Sequence, residues 1–422
     1  MIRSLLGSAL LGATATACGS DELTSPEPTS TLVVTPGRLV LGAGMSRQLS
    51  AILLDPSGAP IAGAAVNFVS SDPSRASVSP EGLVSYTGAG SAEIRASSNG
   101  AQANVPFTGL RSGHPLGTTT STARLPGDQR GDRPFGVAVD ADGRIFISQS
   151  DSGRVAWGFY PDTDFTTGNL GGTPTSIALL GSGTALVTPS GPDANDASVI
   201  ELSSGAVLAE VPLDVPAFSV VSAPDSQTAY LGTNDGRVLV FDVATSAVTG
   251  SIDLGVEKSR ANHLAINAAG TMLYASSFTS GTISEIDLVS RSVARLFIVG
   301  GEPQGIAVSL DGTELYVADE AGTGHIDIYD IVGNRLEASL PSGATSGLGG
   351  AFGLALSPDG AKVYVGVINT EDPGLIQVVD PAARRIEQTI NSCGRVPRRI
   401  AFGFSGGLAV IVDETGCATF VE

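Results

Sequence analysis

The chain has 422 residues, a formal net charge of −19 and a sequence pI near 4.4. So acidic a molecule repels phosphate backbones and anionic lipid headgroups, which argues against a nucleic-acid partner. Glycine is abundant, with 54 residues, whereas aromatic residues make up 5% and charged residues 15% of the chain. No stretch after residue 30 combines helical periodicity with helix caps, so the composition predicts an all-β protein of short strands and turns.

The N-terminus predicts export. Residues 1–17 combine a basic start at Arg3 with a compact apolar run from Leu5 to Ala17. That run is too short to cross a bilayer as a permanent helix, so residues 1–17 are predicted to be a secretory signal peptide.

The small residues that precede Cys18 resemble the processing site of bacterial lipoproteins. The resemblance implies that Cys18 is lipid-modified and becomes the first residue of the mature chain, so that the membrane is reached through a lipid only. Glycine and serine follow it, which by the same resemblance favours the outer membrane or cell surface over the periplasm. An ordinary signal peptide followed by an incidental cysteine is the alternative. Residues 18–30 contain too little apolar sequence to fold and are predicted to be a flexible tether.

Residues 31–110 contain short alternating apolar runs separated by turn residues, a pattern typical of a β-sandwich. The runs are 39–41, 49–54, 65–69, 82–85 and 92–96. Segments within 66–96 resemble the bacterial Ig-like domain of group 2, which occurs in invasin- and intimin-like surface proteins. Phe68 stands where that family often has tryptophan, so an aromatic core residue is kept. The resemblance implies a spacer or adhesive unit.

From about residue 133 onward one pattern repeats: an apolar run, a tight turn that is often Asp-Gly, and a second apolar run. The clearest copy spans 303–319. Seven copies are centred on Ala138, Ala178, Val221, Ala265, Ala307, Ala355 and Ala401, with spacings of 40, 43, 44, 42, 48 and 46 residues. A period in the forties made of four short strands predicts a β-propeller, whose blades stack in a ring. We therefore expect a seven-bladed β-propeller within residues 111–422.

The second strands of these repeats resemble the YVTN family of β-propellers, most clearly at 273–276, 315–318 and 363–366. Residues 133–140 resemble NHL-type propeller repeats instead. The resemblance covers residues 118–422 and implies the fold. It implies no single activity, since these families include surface proteins, binding scaffolds and enzymes.

The last repeat has only three strands before the chain stops, whereas residues 118–125 form a strand-like run that belongs to no complete repeat. Residues 118–125 are therefore predicted to complete the last blade and to close the ring.

The loops that enter each inner strand are expected to surround the mouth of the central channel. The residues predicted to bind a ligand there are Arg133, Arg260, Asn262, His263, Glu302, Gln304 and Arg398, with Arg399 beside them. Arginine suits a carboxylate or a sugar acid, because guanidinium can donate two parallel hydrogen bonds. A solvated turn surface that binds no ligand is the alternative.

Little in the sequence points to catalysis or to a metal. Acidic loops such as 193–196 could offer oxygen ligands to Ca²⁺, but no segment has EF-hand spacing, so we expect no cofactor. The chain has three histidines, and only His263 is placed near the mouth. The sequence therefore predicts neither a metal triad nor a Ser-His-Asp arrangement.

Cys393 and Cys417 both fall in the last blade region, after the outer strand of the sixth blade and in the third strand of the seventh. An exported protein meets an oxidising compartment, so this pair is a disulfide candidate. Two buried thiols are the alternative.

The sequence thus predicts an exported protein in which a tether and an Ig-like spacer carry a propeller. We expect non-enzymatic binding of an envelope or extracellular protein, a glycan or a small ligand. The alternative is a lactonase- or lyase-like propeller enzyme acting on a small anionic substrate at the channel mouth.

Overall fold

The computed structural model describes residues 30–111, 113, 116, 120–127, 132–141, 143–160, 164–191, 196–255, 260–345 and 349–422. The predicted signal peptide, Cys18 and all of the tether except Ser30 lie outside these residues. No helix in the described part of the chain is long and apolar enough to span a membrane.

The first unit is a small β-sandwich, as the sequence predicted. Its strands in the described residues are β1 (Thr31–Thr35), β2 (Leu39–Leu41), β3 (Ser46–Gln48), β4 (Ser50–Leu54), β5 (Asn67–Ser70), β6 (Ala76–Val78), β7 (Leu83–Tyr86), β8 (Gly90–Ser98) and β9 (Ala101–Gly109). One sheet has the order β2-β9-β8-β5 and another the order β3-β7-β6, while β1 pairs with β4. Apolar side chains of the two larger sheets, among them Leu41, Val84, Ile94 and Phe107, form their shared core.

Strand β9 runs through a proline. It continues past Pro106 to Gly109 and pairs along its whole length with β8. Pro106 is tolerated because its side chain is exposed and the apolar alternation of Val105 and Phe107 still faces the core.

The remaining strands form seven four-stranded antiparallel sheets within the described residues, and these are the blades of a propeller. Blade 1 consists of β11 (Pro134–Val139), β12 (Arg144–Gln149), β13 (Arg154–Phe159) and β14 (Thr166–Asn169). Blade 2 consists of β15 (Pro174–Leu179), β16 (Thr184–Pro189), β17 (Asp196–Glu201) and β18 (Val207–Pro212). Blade 3 consists of β19 (Ala217–Ser222), β20 (Thr228–Thr233), β21 (Arg237–Asp242) and β22 (Ala247–Asp253). Blade 4 consists of β23 (Ala261–Ile266), β24 (Met272–Ser277), β25 (Thr282–Asp287) and β26 (Ser292–Ile298). Blade 5 consists of β27 (Pro303–Val308), β28 (Glu314–Asp319), β29 (His325–Asp330) and β30 (Arg335–Pro341). Blade 6 consists of β31 (Ala351–Leu356), β32 (Val363–Val367), β33 (Leu375–Asp380) and β34 (Arg385–Asn391). Blade 7 contains β35 (Pro397–Gly403), β36 (Leu408–Asp413) and β37 (Cys417–Val421). Two 3-10 turns, Gly181–Gly183 and Phe404–Gly406, complete the regular structure of this region.

The Asp-Gly turns of the repeat have the chemistry that the sequence suggested. In blade 5 the hydroxyl of Ser309 donates to Asp311 at 2.6 Å, and Gly312 adopts a φ of 73°. In blade 6 Ser357 and Asp359 repeat the same bond at 2.6 Å. Glycine adopts the left-handed backbone conformation at little cost in free energy, so each turn can close tightly enough to pair its two flanking strands.

The ring closes with a strand from the other end of the propeller. Strand β10 (Thr120–Arg124) pairs antiparallel with β37, from Thr120 opposite Val421 to Arg124 opposite Cys417. The sheet order β10-β37-β36-β35 makes β10 the outer strand of blade 7. Ala123 and Leu125 are buried in the core that blades 7 and 1 share.

The sandwich contacts the propeller at the face where the inner strands end. Phe404, in the turn between the first two strands of blade 7, shares a buried cluster with Val40 and Leu110 of the sandwich. The Phe404 ring lies directly over Gly143, where a Cβ would come within 2.0 Å of it. Phe404 and Ser405 both have left-handed backbone angles, a strained conformation for residues other than glycine that this packing has to offset.

Candidate functional site

The mouth of the channel is built at the start of the seven inner strands. In each of them the pairing register shifts after the first residue, so the second residue lies at a β-bulge. The bulge residues are Phe135, Thr175, Phe218, Asn262, Gln304, Phe352 and Arg398. A bulge re-aims its side chain, and here side chains from distant blades meet at the propeller axis.

Three phenylalanines from blades 1, 3 and 6 form an aromatic floor at this point. The ring of Phe135 meets Phe218 edge to face with centroids 5.3 Å apart, and it meets Phe352 in the same way at 6.1 Å. All three side chains are buried, with Ile368 in the same cluster. The inner strands thus carry an apolar surface across the axis.

Two arginines lie on this floor. The guanidinium carbon of Arg260 is 4.2 Å from the ring centre of Phe218, and that of Arg398 is 4.3 Å from the ring centre of Phe352. Stacking on a ring face holds a guanidinium flat while its N–H edges remain available to hydrogen-bond acceptors.

A chain of hydrogen bonds fixes Arg260. Its Nε donates to Asn262 Oδ1, Asn262 Nδ2 donates to Gln304 Oε1, and Gln304 Nε2 donates to Glu320 Oε2. Burial raises the pKa of Glu320, although the nearby Arg398 opposes that rise.

Glu414 fixes the other side of the mouth. Its Oε1 accepts from Arg133 Nε at 2.6 Å, and its Oε2 accepts from Arg398 Nε. Arg133 also lies 3.4 Å from Asp151. Both oxygens of Glu414 are therefore occupied by guanidinium groups.

Positive charge at the mouth exceeds the carboxylate charge that pairs with it. Among the described residues no carboxylate forms an ion pair with Arg260 or with Arg399. Burial lowers the pKa of Arg260, and the positive charge of Arg398 lowers it further. This local excess of guanidinium stands out in a chain whose net charge is −19.

The structure brings together five of the predicted ligand residues and separates two. Arg133, Arg260, Asn262, Gln304 and Arg398 belong to the two networks just described. Glu302 is exposed on the rim, where its backbone N–H donates to Asp319 at 2.8 Å.

His263 has a structural contact instead. Its Nδ1 accepts the backbone N–H of Ile306 in the next blade at 3.1 Å. Burial lowers the pKa of His263 well below its usual range, and Arg399 adds to this effect, so the ring is neutral. In the described residues no hydrogen bond joins it to the mouth arginines.

The sequence interpretation missed the phenylalanine floor and the depth of Arg399. The signal was present, because Phe135, Phe218 and Phe352 occupy the same repeat position. The side chain at that position reaches the propeller axis only because of the bulge, and the alternation of apolar and polar residues along a strand does not reveal a bulge.

The described residues contain no group of three or more histidine, cysteine or acidic side chains arranged to hold a metal ion. Of the acidic cluster at 193–196, only Asp196 lies within them. It lines a cavity of about 250 Å³ with Ser198 and Glu210, where burial raises the pKa of Glu210. Two carboxylates at one cavity do not make a calcium site.

Cys393 and Cys417 form a disulfide in the structure, with Cα atoms 6.2 Å apart. The bond joins the segment after β34 to the start of β37, and so links blade 6 to blade 7. The backbone N–H of Cys393 also donates to Thr419 of β37 at 2.8 Å.

Comparisons with known proteins support the fold alone. No family model matches the chain, and no curated protein matches it. A solved structure of Kuenenia stuttgartiensis hydrazine synthase is similar, with a TM-score of 0.61 and 16% sequence identity over 71% of this chain and 97% of that one. At that identity the similarity shows a shared architecture of repeated four-stranded sheets.

Proposed function

We propose that this protein is an exported, lipid-anchored cell-envelope protein whose propeller binds a carboxylate-bearing ligand at the channel mouth without transforming it. The observation that carries the proposal is the pair Arg260 and Arg398 on the phenylalanine floor. The resemblance to group 2 Ig-like domains, which implies a spacer or adhesive unit, favours display and binding over catalysis.

The donor geometry supports a carboxylate. Arg260 uses Nε for Asn262, and its two terminal nitrogens form no hydrogen bond with the described residues, so both can donate to a ligand. Arg398 uses Nε and one terminal nitrogen for Glu414. A planar anion that lies between them would receive charge-assisted hydrogen bonds from both sides, the arrangement in which arginine recognises carboxylates best.

The ligand would be a sugar acid, free or within a glycan, or an acidic group of an envelope protein. The phenylalanine floor offers apolar contact to the face of a sugar ring or of an aliphatic side chain.

The position of the sandwich fits this proposal. The mouth lies where the inner strands begin, whereas Phe404 and the sandwich contacts lie where they end. A lipid at Cys18 would therefore tether the protein from the side of the ring opposite the mouth, leaving the mouth open to ligands beyond the membrane.

A propeller enzyme acting on a small anion is the second candidate, and one observation favours it. Glu320 is a partly buried carboxyl group with a raised pKa, hydrogen-bonded beside the arginines, and such a group suits acid–base chemistry. Turnover of an aldonolactone that Glu320→Gln abolishes would support this candidate and reject simple binding.

The binding proposal is tested on the chain from residue 18 with Cys18→Ser, which removes the lipid site. Thermal unfolding is followed with sodium glucuronate, with sodium acetate and with glucose, which lacks the carboxylate. Glucuronate should raise the melting temperature by ligand linkage, and glucose should not.

Two variants locate the effect. Arg260→Met and Arg398→Met keep an unbranched apolar side chain over phenylalanine but remove the charge, so each should abolish most of the glucuronate shift. Arg295→Met is the matched control, since Arg295 stacks on Phe297 far from the mouth and pairs with Glu285. Equal shifts for glucuronate and glucose in the parent protein would reject the proposal.

A further inference from the structure

Arg399 is a third arginine of the mouth, and it lies deeper than the other two. It is the third residue of β35 and only 7% exposed. One terminal nitrogen crosses the channel to donate to the backbone carbonyl of Asn262 in blade 4 at 3.1 Å. The Nε and Nη1 atoms are buried and have no hydrogen-bond acceptor among the residues that the structure describes.

Within the described part of the chain, Arg399 forms no ion pair with a carboxylate. Its guanidinium carbon lies 5.9 Å from the ring centre of Phe135. The charged groups that act on it most are Arg398 and Arg260, which are positive, and the neighbouring His263 is neutral. Burial and these two arginines lower the pKa of Arg399 to about 9, which still leaves it charged at neutral pH.

A buried charge without a partner destabilises a fold, and apolar residues of similar volume often stabilise such positions instead. The positive charges of Arg260, Arg398 and Arg399 also repel one another. An anion bound in the mouth would be attracted by all three guanidinium groups, and this attraction would offset their repulsion.

We propose that Arg399 determines the selectivity of the mouth for anions through its buried, uncompensated charge. This inference rests on the proposed binding function. Arg260 and Arg398 contact the ligand, whereas Arg399 acts from below the floor. Charges interact more strongly at such a site than in water, so an anion gains affinity from Arg399 while a neutral ligand of the same shape gains nothing.

The decisive variant is Arg399→Met, which removes the charge and keeps an unbranched side chain. Calorimetry at constant ionic strength should show at least tenfold weaker binding of glucuronate, since one charge within about 12 Å contributes that much or more at an effective dielectric of about 20. In a buffer of low anion content, the melting temperature of Arg399→Met should exceed that of the parent protein.

Arg399→Lys and Arg295→Met are the controls. Burial lowers the pKa of a lysine as it lowers that of Arg399, so Arg399→Lys and the parent protein are compared at about pH 6, where lysine retains its charge. Glucuronate affinity should then stay within about threefold of the parent value. Arg295→Met removes a guanidinium that Glu285 compensates, so the melting temperature should fall and the affinity should not change. If Arg399→Met does not fold, Arg399→Gln takes its place in the same comparison.

The outcomes separate the two proposals. A parent protein that does not distinguish glucuronate from glucose rejects the binding function itself. A parent protein that prefers glucuronate, together with an Arg399→Met or Arg399→Gln variant of equal affinity, rejects the role of Arg399. Equal losses in the neutral and the Lys variants would also reject it, since shape rather than charge would then be responsible.

Discussion

Arginine and lysine side chains have different partners on the outer part of the propeller, which we call the outer rim, and at its axis. Away from the axis two cations have carboxylate partners: Arg295 of the outer strand β26 pairs with Glu285, and Lys362, just before β32, lies 2.7 Å from both Asp380 and Glu387. At the axis Arg260 and Arg399 have none among the described residues, and Arg398 shares Glu414 with Arg133. The outer pairs neutralise their cations, whereas the arginines at the axis without a carboxylate are the observation on which the proposed ligand site rests.

The largest expected effect is on stability and concerns β10, the outer strand of blade 7. Ala123→Asp would place a charge in the shared core of blades 7 and 1, where Ala123 is 1% exposed. We expect a loss of about 3–5 kcal/mol in the free energy of unfolding, as for an uncompensated buried charge. Urea unfolding measures this. A midpoint unchanged from that of the parent protein would contradict the packing of β10 in the last blade.

The second prediction breaks one rim pair. Glu285→Leu leaves Arg295 without its carboxylate and should lower the free energy of unfolding by about 2 kcal/mol, because Arg295 is partly solvated. Glucuronate affinity, measured by calorimetry on the folded variant, should stay at the parent value. A large change in affinity would show that rim and axis are not independent.

The third prediction concerns the aromatic floor. Phe218→Ala removes the ring on which Arg260 stacks, at 4.2 Å, without removing any charge. The loss of this contact should weaken glucuronate binding by about 1 kcal/mol, roughly fivefold. The matched control is Phe297→Ala, which removes the ring on which Arg295 stacks, away from the mouth. Comparable losses in both variants would show that the stacking is not specific.

The smallest expected effect is a pH dependence. Burial raises the folded-state pKa of Glu320 above the ordinary value of 4.5, so Glu320 takes up a proton more readily in the folded protein than in the unfolded chain. That favourable protonation is fully present at low pH and is lost as pH rises through the raised pKa. Loss of the nearby negative charge should strengthen glucuronate binding two- to threefold as pH falls through that range, roughly the size expected for a partly screened charge. Glu320→Gln should abolish the change, and a variant that retains it would place the titrating group elsewhere.

Much of the fold was predictable because it repeats. Seven copies of one strand-turn-strand pattern fixed the number of blades, and the unpaired segment at 118–125 indicated how the last blade is completed. β9 was harder, because Pro106 interrupts its pattern and proline is usually read as a strand breaker.

The site was only partly predictable. Counting along each repeat located Arg260 and Arg398 at the mouth, since entry loops share one face. It did not reveal that Phe135, Phe218 and Phe352 meet, because that contact joins blades far apart in sequence through a bulge in each strand. Nor did it separate Arg398 from Arg399, adjacent residues of which one pairs with Glu414 and the other is buried without a carboxylate.

The most direct test of the channel mouth as the ligand site is a calorimetric titration of glucuronate and of glucose into the parent protein and into the double variant Arg260→Met/Arg398→Met. We expect the parent protein to bind glucuronate in preference to glucose. The double variant should lose this preference while it keeps a cooperative unfolding transition. Preferential glucuronate binding that survives both substitutions would show that the anion binds elsewhere, and it would contradict the assignment of the mouth as the ligand site.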